Sequence, residues 1–165
     1  MNWDAIGAIG NVLAAVGVTA TLIYLVVQLK HNNRQLRLTT ANVVTEELQA
    51  IFSLLAADES LCRVFNEAAS GRELEGTNRT RFYAFVNNLM RIHENAYLQR
   101  QEGAIPEAHW EGLTRLMIDV TDMPGFASYW VDRKHWSSNE YGAFVEAEIL
   151  SIPAHRRITG TDETP

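Results

Sequence analysis

The chain has a single cysteine, Cys62, among 165 residues, so no disulfide can close within it. That fits a reducing compartment. Cys62 reads as a small buried apolar residue, with a reactive thiol as the alternative. Positive charge is also scarce: 14 Lys and Arg face 20 Asp and Glu, for a net charge of −6. Phosphate binding needs a basic face, so nucleic acid is excluded as a main partner. Signatures of chemistry are missing too. There is no GxSxG, GxxxxGK[ST] or GxGxxG motif. The histidines are His31, His93, His109, His135 and His155, and none belongs to an HExxH pair. Only Asp132 stands three residues before a histidine, His135, whereas a helical di-iron site needs two Glu/His pairs and two further carboxylates. The sequence therefore predicts no catalytic residue, no metal site and no cofactor, hence a protein that is not an enzyme. Strand-like alternation and internal repeats are likewise absent, which makes the expected class all-α.

What the sequence does have is one long apolar run. Residues 5–29 carry no charge, and 6–29 read IGAIGNVLAAVGVTATLIYLVVQL. As a helix this run is about 36 Å long, against a hydrocarbon core of about 30 Å. Trp3 and Tyr24 near its ends suit a membrane interface. A cleaved signal peptide would need a basic segment first, and Asp4 is the only charged side chain before the run. The expectation is one N-terminal transmembrane helix continuing into a small cytoplasmic helical domain. Lys30, Arg34 and Arg37 follow the run and no Lys or Arg precedes it, so these three determine topology: N-terminus outside, residues 30–165 in the cytoplasm. Membrane lipid is then the first partner. The sequon Asn78-Arg79-Thr80 would go unmodified there.

Small residues in the run keep spacings of three and four. Gly7, Gly10, Ala14, Gly17 and Thr21 share one face, and Ile9, Leu13, Val16, Leu22 and Ile23 occupy the other. Such a face lets backbones approach closely and reads as a helix-packing interface, although Gly and Ala are also common in membrane helices for other reasons. Tyr24 continues the face, and Gln28, His31 and Gln35 extend it as a polar seam.

No Gly or Pro interrupts residues 18–69, so the helix is expected to run on to about Ala56. Its later stripe, Val44, Leu48, Ile51 and Leu55 with Phe52 beside it, marks where a domain begins to pack. Asp58 caps a helix through Ala69, which Gly71 ends. Thr77 or Asn78 caps a helix to about Arg100 with Phe82, Phe85, Val86, Leu89, His93 and Tyr97 on one face, and Gly103 stops it. Pro106 suits the first turn of the next helix, whose apolar face is Trp110, Leu113, Met117 and Val120. Pro124-Gly125 breaks the chain before a short helix with Tyr129 and Trp130. Ser137 with Glu140 forms a capping box for a last helix presenting Tyr141, Phe144, Val145 and Ile149. Pro153 ends the pattern. The resulting division is a transmembrane anchor over 1–30, a juxtamembrane extension over 31–57, a helical domain over 58–155 and a polar tail over 156–165.

The stretch Trp3-Asp4-Ala5-Ile6-Gly7-Ala8-Ile9-Gly10, the apolar run ending near Tyr24-Leu25 and Gln28, the helix ending Tyr97-Leu98-Gln99, Trp110 and Trp130 together resemble a group of uncharacterised bacterial single-pass membrane proteins. The resemblance implies a bacterial inner-membrane location and no particular activity. Two functions fit these readings. One is a membrane-anchored assembly or accessory protein, a homo-oligomer or part of a larger membrane complex, joined through the small-residue face. The other is a tethered sensor with a small-molecule pocket near His93 and Trp130. A pore is a weaker third, since one helix per subunit needs a ring of copies. His93 reads either as a hydrogen-bonded core residue or as a tuned acid/base group beside Glu94. Trp130, His135 and Trp136 read either as core or as a stacking site.

Overall fold

The computed structural model describes residues 3–152, with side chains from residue 16 onward. The chain divides into two units, 1–39 and 40–165. The first helix, α1, runs Trp3–Ala57 and so belongs to both. Its length follows from the absence of Gly and Pro over 18–69, which leaves nothing to stop the backbone ladder before Asp58.

In the first unit every side chain from Val16 to Thr39 is exposed. The expected transmembrane helix is corrected here: among the described residues no helix is long and apolar enough to cross a membrane. Residues 6–15 of the expected span lie outside those whose side chains are described. From Val16 the apolar run ends at Leu29, and Lys30, His31, Asn32, Asn33 and Arg34 follow directly. Among the described residues, any window long enough to cross a hydrocarbon core of about 30 Å takes in these polar and charged side chains. The single-pass placement in a bacterial inner membrane and the N-terminus-outside orientation are corrected with it. The helical class stands, since every regular element among the described residues is a helix.

The second unit opens with the last turns of α1, where Ala41, Val44 and Ile51 are buried and Leu48 and Leu55 pack against the core. Phe52 stays at the rim, edge-on to Phe85 at 6.4 Å. Helix α2 spans Glu59–Ala69. Its cap is Asp58, whose Oδ1 accepts the Ser60 and Leu61 N–H groups at 2.9 and 3.1 Å. These bonds and the Arg81 guanidinium hold the Asp58 carboxyl below its ordinary pKa, the Ser60 side chain contributing most. Gly71 ends the turn after α2 at φ 79°, a left-handed conformation that favours glycine.

Helix α3 spans Gly76–Gln101 and starts two or three residues earlier than Thr77 or Asn78 would place it; Glu75 precedes it without a side-chain cap. Its buried set is wider than one stripe. Tyr83, Met90, Ile92, Glu94 and Ala96 join Phe82, Phe85, Val86, Leu89 and His93. The reason is position: α3 packs against α2, against α4 (Glu107–Thr121) and against α5 (Pro124–Arg133), so neighbours cover several of its faces. Gly103, at φ 64°, turns the chain out of α3 as expected.

Pro106 sits just before α4 instead of inside its first turn, and Trp110, Leu113, Met117 and Val120 are buried as their spacing predicts. Pro124 and Gly125 do not break the chain ahead of α5; they form its first turn. A 3-10 turn over Lys134–Trp136 leads to α6, Asn139–Phe144, which passes into a π turn over Val145–Ile149. The cap of α6 is Ser138, not Ser137. The buried Glu94 carboxylate accepts the Ser138 N–H at 2.8 Å and sets where the helix begins. Glu140 turns away from the cap and accepts from Gln101 at 2.8 Å. The expected stop at Pro153 and the tail over 156–165 lie outside the described residues.

Candidate assembly surface

Within the first unit, Val16, Val18, Leu22, Ile23, Tyr24, Leu25, Val26, Val27 and Leu29 are 48–61% exposed. Apolar side chains on all sides of one helix need a cover, because each large one gains about 1.5–3 kcal/mol from full burial. Of the expected packing face, Gly7, Gly10 and Ala14 lie outside the residues whose side chains are described. Gly17 and Thr21 are exposed on successive turns. Thr21 Oγ1 donates to the Gly17 carbonyl at 2.8 Å, so this hydroxyl is satisfied within the helix. A Cβ added at Gly17 would meet nothing within 4 Å. In the polar seam, Gln28 Nε2 donates to Tyr24 Oη at 2.7 Å, again one turn apart. His31 and Gln35 are exposed, as are Lys30, Arg34 and Arg37.

In the second unit, His93 is fully buried. Its ring lies on Trp110 at 4.8 Å with an interplanar angle of 28°. His93 Nδ1 and Tyr141 Oη share a hydrogen bond of 2.8 Å, with donor and acceptor set by the imidazole tautomer. Among the described residues Nε2 has no partner. Burial pushes the imidazole down to about 3 and raises the Tyr141 phenol, so both groups are neutral near pH 7. Phe144 closes the stack at 6.2 Å from His93. Tyr97 lies 4.8 Å from Phe144. The neighbouring Glu94 is buried and paired with Arg91 at 2.8 Å. A neutral imidazole, fully buried and held among rings, is a core group.

The expected aromatic cluster is divided. Trp130 is buried, stacked on Phe126 at 5.9 Å, and its Nε1 donates to Glu146 at 3.3 Å. His135 and Trp136 lie at the surface. Five clefts on the surface of the helical unit are lined by neither His93 nor Trp130. Cys62 is half-buried at the edge of one of them, more open than a core cysteine. Among the described residues no group of His, Cys, Asp and Glu could hold a metal ion. Sequence reasoning paired His93 with Glu94, its neighbour along the chain. The partner is Tyr141, 48 residues away, for which no local signal exists.

No family model matches the chain, and no curated protein or solved structure matches it.

Proposed function

We propose that the chain is a non-enzymatic assembly protein that associates with further copies of itself through the α1 face containing Gly17 and Thr21. The observation that carries this reading is the exposure of the whole apolar run from Val16 to Leu29. A second helix laid along it would cover these side chains, and the small residues let the two backbones come closer than the usual 8–10 Å. Gly17, Thr21, Tyr24, Gln28, His31 and Gln35 keep the alternating spacing of a coiled-coil seam. Polar residues at such positions favour one register over its alternatives. The packed surroundings of His93 and Trp130 also support assembly over a sensor, which would need a cavity there.

Gly17→Leu is the decisive substitution. The isolated helix has room for the side chain at this position. Leucine also favours helix over glycine by roughly 1 kcal/mol. Any loss of association must then come from the partner's approach, not from damage within one copy. Native mass measurement of the unmodified chain should give an oligomer, and Gly17→Leu should weaken it at least about tenfold with helix content kept. A single copy per particle, in buffer or in a detergent micelle, would overturn the proposal, as would an oligomer indifferent to Gly17→Leu.

A further inference from the structure

A second feature lies in the helical unit, built from residues that belong to neither the α1 face nor the His93 stack. Residues from the start of α3, the end of α5 and the following turn enclose a cleft of about 310 Å³. That is the lower end of the range for small-molecule sites. In a chain of net charge −6, its lining includes Arg79 and Arg133 and no carboxylate. Both guanidiniums lie over the same ring, that of Tyr83, at 5.5 and 5.7 Å from its centroid. Two like charges gathered on one ring repel each other unless an anion lies between them.

Their neutralisation inside the protein is weak. Arg79 reaches Asp132 only at 3.9 Å, and the same Asp132 oxygen already accepts the Tyr83 hydroxyl at 2.9 Å. Arg133 donates to the Asp132 backbone carbonyl at 3.3 Å and forms no ion pair among the described residues. Asn87 and Asn88 add amide donors to the wall. Asn87 accepts from Tyr129 through Oδ1 at 3.3 Å, which leaves its amide nitrogen for the cleft. On the last side stands Trp136, 47% exposed with Arg133 over its ring at 4.8 Å. Its backbone carbonyl accepts from Arg91, which fixes the turn that carries it.

We propose that this cleft binds a small ligand whose oxyanion is carried on an aromatic ring. The oxyanion bridges Arg79 and Arg133, whose forked donors match carboxylate and phosphate oxygens. The ring lies against Trp136 and covers an aromatic surface that is now open to water. The site is independent of the assembly face, so either proposal can fail without the other.

Phenyl phosphate is a suitable probe, titrated by calorimetry into the full chain, with inorganic phosphate and phenol as its two halves. The expected result is saturable binding of phenyl phosphate at one site, at least about tenfold tighter than either half. Arg133→Gln should weaken it by about tenfold or more, and Trp136→Ala should erase its advantage over inorganic phosphate. Arg79 is well exposed, so Arg79→Gln serves as a second variant that keeps the fold if Arg133→Gln does not. No saturable binding, equal binding of either half, or affinity unchanged in Arg79→Gln would each overturn the proposal.

Discussion

Between pH 7 and pH 5 the helical unit is expected to lose roughly 2 kcal/mol of stability through His93 alone. The imidazole titrates near 6.5 in the unfolded chain and near 3 when folded, because its site is buried. Between those values the unfolded chain binds a proton that the folded chain does not. Stability from this group is therefore complete above pH 6.5 and falls steadily as the pH drops toward 3. Protonation would put a charge against Trp110 and Phe144 with no carboxylate hydrogen-bonded to it. It would also convert the shared hydrogen bond with Tyr141 into one that only His93 can donate. Urea midpoints at pH 7, 6 and 5 measure the loss, above the range where most carboxylates titrate. His93→Gln keeps a polar group near Tyr141 but cannot titrate, so its stability should vary less over the same interval. It should be the less stable protein at pH 7 and draw level as the pH falls. If both proteins lose stability in parallel, the imidazole is not held neutral by its burial.

The same residue shows where local reading ends. Spacing along α3 was sufficient to put His93 on the inner face with Phe82, Val86 and Leu89, because one face of a helix repeats every three or four residues. It could not reveal that α3 has several covered faces, which depends on how many other helices surround it. Helix ends divide in the same way. Asp58 and Gly71 act through atoms a few residues away, and the sequence located both. Ser138 replaced Ser137 as a cap because Glu94, distant in the chain, holds its N–H. The cleft between Arg79 and Arg133 joins residues 54 positions apart in the chain over one tyrosine ring, and no motif spans such a distance. On the α1 surface, the sequence puts Gly17, Thr21, Gln28, His31 and Gln35 at helical spacing, and the helix leaves all five exposed. The reading of the apolar run as a membrane span was not sustained, since periodicity shows which residues need cover and not what supplies it.

Gly125→Ala is expected to destabilise the helical unit by about 1–3 kcal/mol, although propensity alone points the other way. Alanine favours a helix interior over glycine by roughly 1 kcal/mol, and the backbone here needs no left-handed conformation. Packing opposes this gain. A Cβ at Gly125 would lie 2.8 Å from Ala68 Cβ and 3.2 Å from its Cα and carbonyl oxygen. Ala68 is fully buried in α2, so the obstacle is backbone and a methyl group that cannot rotate away. The two helices must separate, and overpacking of this kind costs about 1–3 kcal/mol. Gly112 in α4 provides the matched control, because a Cβ there meets nothing within 4 Å. Gly112→Ala should therefore raise stability by about 0.5–1 kcal/mol. Opposite signs for one chemical change at two helical positions would separate contact from propensity. The double variant Ala68→Gly with Gly125→Ala tests the contact itself: returning the methyl group to the other helix should recover most of the loss from Gly125→Ala. Urea melts of the four proteins in that cycle give the coupling, and values that simply add would mean that α2 and α5 do not approach at this pair.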